Sequence, residues 1–154
     1  MNAQQFYRTN KIIFFALLIG MLAFLAITVF LTDQQLFIGM PKDQIFLVAS
    51  VAILGAGIYG GNFMFSKMIA QAKKSGTLKQ KTNVFNTSSI IRYALIEGPV
   101  LFNIVSLLLD GSAVFLLLAV IGIGYFLTLR PTAEKIISEL ELTYEERHEL
   151  GFRN

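Results

Sequence analysis

The 154-residue sequence contains no cysteine, no tryptophan and a single histidine, His148. Without cysteine, the chain can form neither a disulfide nor a thiolate metal site. The sequence also lacks the HExxH, nucleophile-elbow and phosphate-loop motifs of common catalytic centres. We therefore predict that the protein is not an enzyme by itself and that it holds no metal and no cofactor.

Charge is scarce as well. Only 15% of the residues are charged, 55% are hydrophobic, and the net charge is +3. A soluble domain of this size needs more charge on its surface, so the composition predicts an integral membrane protein. The basic residues flank apolar runs and form no single large patch, which gives no support to nucleic-acid binding.

Four apolar runs account for most of the chain, and we predict that they are membrane spans at about residues 12–31, 45–66, 88–109 and 112–129. The first run has 20 residues without a charge, enough to cross a hydrocarbon core of about 30 Å. It is followed by Thr-Asp-Gln-Gln and not by the small residues of a cleavage site, so an uncleaved span is favoured over a signal peptide. The predicted fold is all-α, an integral membrane four-helix bundle over residues 1–130.

The distribution of basic residues predicts the orientation. Of the 13 Lys and Arg residues, 12 lie on one predicted side of the membrane. They are in the segment before the first span, in the segment between the second and third spans, in the segment after the fourth span, and at Arg92. The opposite loops hold only Lys42. By the positive-inside rule, both termini and the basic connector Lys67–Lys81 are predicted to be cytoplasmic, and we expect a bacterial inner (plasma) membrane.

The connector and the C-terminal segment have opposite charge character. Five lysines surround a predicted break at Ser75-Gly76, and Asn83, Asn86, Thr87 and Ser88 are candidate N-caps for the third helix. Residues 131–154 are predicted to be a cytoplasmic amphipathic helical tail, with a capping-box pattern from Thr143 to Glu146. Because its polar side is acidic, we expect the tail to fold against the connector or a partner protein and not to lie on lipid.

The second span is rich in small residues. Gly55, Gly57, Gly60 and Gly61 are predicted to let neighbouring helix backbones approach closely, and packing within the bundle is favoured over a dedicated oligomer interface. Tyr59 and Asn62 are polar side chains on the same helix.

The third span carries polar residues on two separate faces. On a helical wheel, Arg92, Pro99 and Asn103 share a narrow stripe, whereas Glu97 lies on an apolar face. Arg92 is near the cytoplasmic end and can extend its side chain to the headgroups. Pro99, next to Gly98, is predicted to kink the helix because it removes the hydrogen bond to the carbonyl of Leu95.

Glu97 lies about 10 Å deeper than Ile90, which is too deep for its short side chain to reach the headgroups. Its carboxyl must therefore be protonated, hydrogen-bonded to a neighbouring helix, or in contact with water or a cation. Tyr59 and Asn62 are its candidate partners. Two interpretations stay open: Glu97 carries a proton, or it forms a structural hydrogen bond between helices.

Residues 45–110 resemble the proteolipid c-subunit hairpin of rotary (F-/V-type) ATPases. The resemblance is carried by the glycine-rich segment from Gly55 to Gly61 and by the segment from Arg92 to Glu97, separated by a polar loop. It implies that Gly55, Gly57 and Gly61 are packing glycines and that Glu97 is the ion-carrying carboxylate. Gly98 follows the acid where sodium-binding relatives often have a hydroxyl, so a proton is the favoured ion.

The leading functional prediction is a small non-enzymatic integral membrane protein, a self-associating scaffold or a subunit of a larger membrane complex, that packs through the glycine-rich second span and has Glu97 as a buried protonatable group. Its expected partners are the lipid bilayer and either itself or other membrane subunits. The alternative is a proton-translocating, c-subunit-like subunit that uses Glu97 as ion carrier. A membrane enzyme is the third and least favoured class.

Overall fold

Long helices form at each of the apolar runs. The computed structural model describes residues 3–74 and 77–151, and within them the helices are α1 (Ala3–Thr32), α2 (Gln44–Lys73), α3 (Leu78–Asp110), α4 (Ala113–Thr128), α5 (Ala133–Leu140) and α6 (Tyr144–Glu149). No strand is present in these residues, where Phe37 and Ser112 form only an isolated bridge. The predicted all-α class is confirmed.

Three of the helices are long and apolar enough to cross a membrane: α1, α2 and α3. With 16 residues, α4 is about 24 Å long, and the chain bends by 74° between α4 and α5. The described chain therefore has three membrane-length helices, or four if α4 and α5 are counted as one broken span.

The helix boundaries around the connector differ from the prediction. Helix α2 continues to Lys73 and α3 begins at Leu78, with Thr77 as its N-cap, so most of the connector is helical. The candidate caps between Asn83 and Ser88 lie inside α3, and the predicted break at Ser75-Gly76 lies outside the described residues. Helix formation extends this far because apolar side chains such as Ile69 and Phe85 give the polar ends of α2 and α3 a face to bury.

The C-terminal segment packs onto these helix extensions, as the sequence predicts. We call the apolar cluster between them the tail cluster; it consists of Phe6, Phe65, Ile69, Ala72, Phe85, Ile136, Leu140, Leu142 and Leu150. Two ion pairs flank it, Lys73 to Glu141 and Lys81 to Glu146, each at 2.7 Å between Nζ and Oε1. The capping box between Thr143 and Glu146 is confirmed, and residues 152–154 lie outside the described part of the tail.

At the opposite end of the bundle, the loop between α1 and α2 is fastened to the turn between α3 and α4. Ser112 Oγ donates to the carbonyl of Gly39 (2.9 Å), and the amide of Lys42 donates to Asp110 Oδ2 (3.0 Å). Gly111 ends α3 with φ of 81°, and a Cβ there would lie 2.8 Å from the carbonyl oxygen of Gln35. Asp110-Gly111 therefore forms a tight turn, and only glycine fits at position 111.

Helix α3 lies at the centre of the bundle and packs against α1, α2 and α4. Its side chains Tyr93, Ile96 and Val100 are buried in a cluster with Phe14 of α1 and Phe126 of α4. The rings of Phe14 and Phe126 stack with centroids 4.9 Å apart. The buried face of α3 is therefore positioned by three neighbouring helices.

Candidate functional site

Two glycines of α2 bring its backbone against α3. A Cβ at Gly57 would lie 2.3 Å from the carbonyl oxygen of Leu95 and 2.7 Å from Pro99 Cγ, and a Cβ at Gly61 would lie 3.5 Å from Arg92. Gly57 and Gly61 thus lie where the backbone of α2 approaches α3. At the other two glycines, Gly55 and Gly60, no atom of a neighbouring helix lies within 4 Å of the Cβ position.

The contact at Gly57 is matched to Pro99. Since Pro99 has no amide hydrogen, the carbonyl of Leu95 lacks its usual donor within the helix, and this carbonyl is the one that faces Gly57. Helix α3 nonetheless continues through Pro99 from Leu78 to Asp110, so the proline does not interrupt it. One turn later, Asn103 Nδ2 donates to the carbonyl of Pro99 (2.8 Å).

A chain of hydrogen bonds links three helices near the tail end of the bundle. Arg92 Nη2 donates to Asn62 Oδ1 and Asn62 Nδ2 donates to the hydroxyl of Tyr125, both at 2.5 Å. The Arg92 guanidinium also lies over the ring of Phe65, 4.7 Å from its centroid. We call these four side chains the Arg92 network. Arg92 thus forms contacts within the protein that the sequence does not predict.

Neither predicted partner of Glu97 contacts it. Asn62 belongs to the Arg92 network, and Tyr59 is 74% exposed and stacks on Phe63. The reason is geometric: α2 packs on the side of α3 that carries Arg92, and at 100° per residue Glu97 is turned about 140° away from Arg92. The wheel separates the two faces correctly, but it does not indicate which face α2 covers.

Glu97 itself is half-buried and forms no hydrogen bond or ion pair with any residue between 3 and 74 or between 77 and 151. It is flanked along the helix by exposed Ala94 and Gly98, and nothing lies within 4 Å of a Cβ placed on Gly98. Along α3 it is 13 residues, or about 20 Å, from Asp110. The carboxyl therefore lies on an open face, well inside the apolar part of the helix.

A second feature is a cavity of about 170 Å³ between α2, α3, the end of α4 and α5. Its charged lining residues are Arg92, Lys135 and Glu139, beside Ser89 and Tyr125. Arg92 Nε is buried with no acceptor among the described residues, and Lys135 Nζ donates to the carbonyl of Thr128. Neither the cavity nor the role of Tyr125 is predicted from the sequence, although an aromatic hydroxyl at the tail end of the last span is a usable signal for a partner of Asn62.

Within the described ranges, no three His, Asp or Glu side chains come close enough to hold a metal ion. Glu97 and the Arg92 network are two of the polar groups within the bundle; a third joins α1 to α3, where the Tyr93 hydroxyl donates to Asn10 Oδ1 (3.1 Å) and Asn10 Nδ2 donates to Asn86 Oδ1 (3.2 Å). No protein-family model matches the chain, and neither the curated proteins nor the solved structures compared with it show significant similarity.

Proposed function

We propose that the protein is a non-enzymatic integral membrane subunit that assembles with copies of itself or with another membrane protein through the Glu97 face of α3. We define this face by Ala94, Glu97, Gly98 and Val105, which point to one side of the helix at helical spacing. The observation that carries the proposal is the Glu97 carboxyl, which has no hydrogen-bonding partner among the described residues.

A polar group without a partner is costly in hydrocarbon, because no water is there to replace the missing hydrogen bond. A protonated carboxyl can both donate and accept, so a backbone or side-chain group of a neighbouring helix can satisfy it. Ala94 and Gly98 are four residues apart and exposed, which allows such a helix to approach closely. The open face and the unpaired acid therefore favour the same partner, a second transmembrane helix.

A four-crossing arrangement with both termini cytoplasmic is part of the proposal. Helix α4 begins beside the loop between α1 and α2, where the amide of Ala113 donates to the carbonyl of Phe37. It ends near α5, where Lys135 donates to the carbonyl of Thr128. Since the tail cluster joins α5 to Phe6 of α1, the N-terminal and C-terminal segments are at one end of the bundle. The excess of basic residues at that end supports its placement in the cytoplasm.

The test uses the full chain in nanodiscs, with assembly size measured by native mass spectrometry and by crosslinking in the original membrane. We expect Gly98→Leu to reduce the assembled fraction, because the added side chain projects from the Glu97 face. Gly124→Leu on α4 is the matched control, since Gly124 also has nothing within 4 Å of its Cβ position. If the wild type is monomeric in both settings, the proposal is wrong.

A second candidate is the proton-translocating, c-subunit-like role. The position of Glu97 favours it, because the acid lies on the hairpin face turned away from the glycine-rich helix and is not fixed by a partner. For this role, we expect a hydrophobic carbodiimide at neutral pH to modify Glu97 selectively. We also expect Glu97→Gln to abolish proton flux in proteoliposomes while assembly survives. If flux is unchanged by Glu97→Gln and assembly is lost in Glu97→Ala, Glu97 forms a structural hydrogen bond.

A further inference from the structure

The cavity between the bundle and α5 lies at the level of a membrane surface. Phe65, on its wall, is twenty residues along α2 from Ile45, which corresponds to about 30 Å and so to the thickness of a hydrocarbon core. On the other wall, α4 has ended at Thr128 and the chain turns by 74° into α5. Lipid headgroups are found at this depth.

Arg92 brings unused hydrogen-bond donors to this cavity. A guanidinium carries five N–H groups, and only one hydrogen bond, to Asn62, is formed by Arg92 with a described residue. Its Nε is buried without an acceptor, while the ring of Phe65 and the amide of Asn62 fix the guanidinium plane. Unpaired guanidinium donors inside the protein cost free energy. Binding an oxyanion would therefore be favourable, because its oxygens accept hydrogen bonds from these N–H groups.

Helix α5 adds one charge of each sign. Lys135 and Glu139 are four residues apart, so they lie on one side of α5, and both line the cavity. Lys135 donates to the carbonyl of Thr128 and keeps two further N–H donors. Among the ion pairs of the described residues, none joins Glu139 to Lys135 or Arg92. The cavity thus presents two cations and a separate carboxylate.

We propose that this cavity binds the headgroup of an amine-bearing phospholipid. The phosphate lies between Arg92 and Lys135, whose N–H groups donate to its oxygens, and the headgroup amine pairs with Glu139. At about 170 Å³ the cavity is well above the roughly 10–15 Å³ that one water molecule requires, so a polyatomic group fits. The acyl chains extend along the apolar side of the bundle. This inference requires a membrane-embedded chain but not the assembly role of Glu97.

The experiment is native mass spectrometry of the delipidated full chain in detergent, titrated separately with phosphatidylethanolamine, phosphatidylglycerol and inorganic phosphate. We expect one phosphatidylethanolamine to bind per chain, and Arg92→Gln and Lys135→Gln each to weaken binding about tenfold or more. Lys135 is exposed, so its replacement tests the site even if Arg92→Gln fails to fold. Arg130→Gln is the matched control, because Arg130 is at the same end of the bundle, lies 5.9 Å from the ring centroid of Phe15 and does not line the cavity.

Glu139→Gln tests headgroup selection separately. Removing the carboxylate should weaken binding of phosphatidylethanolamine and strengthen that of phosphatidylglycerol, which has no amine. Equal losses in Arg130→Gln and Arg92→Gln would indicate unspecific attraction to charge and overturn the proposal. Binding of inorganic phosphate as tight as that of lipid would overturn it in favour of a free-anion site. Assembly size should be unaffected by these variants, so this outcome is independent of the Glu97 test.

Discussion

Gly57 and Pro99, on neighbouring helices, are complementary at the level of single atoms. Pro99 has no amide hydrogen, so the carbonyl of Leu95 in α3 lacks its usual donor. Gly57 faces this carbonyl and has no side chain that would clash with it. The two backbones therefore approach more closely than any other residue at position 57 allows. This contact fixes the register of α2 on α3 and, with it, which polar side chains meet.

The first prediction concerns Gly57→Ala. The new Cβ would lie 2.3 Å from a backbone oxygen, which cannot move without shifting α3, so we expect a loss of about 1–3 kcal/mol in stability. The thermal unfolding midpoint in detergent measures it. Gly60→Ala is the control. No atom lies within 4 Å of the Cβ position at Gly60, and alanine is the better helix former, so the unfolding midpoint of this variant should be unchanged or higher. Equal losses in the two variants would contradict the register described above.

The second prediction compares two tyrosines. Tyr125→Phe removes the acceptor of Asn62 Nδ2 and should lower stability by about 1 kcal/mol. Tyr59→Phe removes a hydroxyl that is exposed and forms no hydrogen bond with a described residue, so its unfolding midpoint should stay at the wild-type value. The same thermal unfolding measurement applies to both. A larger effect at Tyr59 would show that its hydroxyl, and not that of Tyr125, contributes to the bundle.

The sequence identifies the chemistry of single residues better than their partners. The packing glycines Gly57 and Gly61 and the isolation of Glu97 from Arg92 follow from helical periodicity, which is a local property. The pairing of Asn62 with Arg92 and Tyr125 does not, because it depends on the rotation of α2 about its axis. That rotation is set by contacts with α3 and α4 that no single segment contains.

At the scale of elements, the ends of α2 and α3 extend beyond the length that a membrane requires, and the tail folds onto them. The apolar side of this unit is the tail cluster. The polar side carries the two ion pairs, of which Lys81–Glu146 is the more buried: its side chains are 13% and 18% exposed, against 35% and 69% for Lys73–Glu141. The sequence predicts the tail and its docking, but it predicts a loop where the helices continue, because lysine-rich turns and helical surfaces have similar compositions.

The third prediction is that acid loosens the tail. The hydrogen bond from Lys81 lowers the pKa of Glu146 below its ordinary value of 4.5. A carboxylate with a lowered pKa stabilises the folded state above the unfolded pKa, and this stabilisation is lost as the pH falls through the folded-state pKa. A spin label on Tyr144→Cys, which would be the only thiol of the chain, should therefore become more mobile as the pH falls below about 4.5.

Two lysine variants provide the comparison for this measurement. Lys81→Gln should make the label more mobile already at pH 7 and should reduce the change on acidification. Lys73→Gln should behave like the wild type, because its ion pair is more exposed and exposed pairs contribute little. If the two variants have the same effect, the tail is held by overall charge and not by the Lys81–Glu146 contact.

At the scale of the whole molecule, the bundle has two different ends. One end is closed by backbone and side-chain hydrogen bonds around Gly111, and the other by the apolar tail cluster and its ion pairs. The number of apolar runs and the class of the fold are readable from the sequence, because hydropathy is a sum over neighbours in the chain. The identity of the contacts that close each end is not, since these join residues as far apart as Phe6 and Leu150.

The fourth prediction concerns sidedness. Since the chain has no cysteine, single replacements can be labelled without background. Two suitable positions are Ile38, in the loop between α1 and α2, and Tyr144, in the tail. Their native side chains are 99% and 74% exposed, so we use Ile38→Cys and Tyr144→Cys. A membrane-impermeant maleimide should label the first from outside intact cells and the second only in inverted vesicles. Labelling of both from the same side would contradict a fourth crossing.

The short length of α4 has a consequence for the surrounding lipid. At about 24 Å, α4 is about 6 Å shorter than an average hydrocarbon core, whereas α1, α2 and α3 each exceed it. In the proposed four-crossing arrangement, this hydrophobic mismatch affects one side of the molecule only, so lipids next to α4 would have to compress while those next to α1 would not. Each ångström of mismatch costs a fraction of a kcal/mol. This cost falls when the α4 sides of two molecules lie next to each other, or when the protein lies in a thinner bilayer. In the proposed four-crossing arrangement, the free-energy cost of a thicker bilayer therefore falls mainly on the α4 side of the molecule.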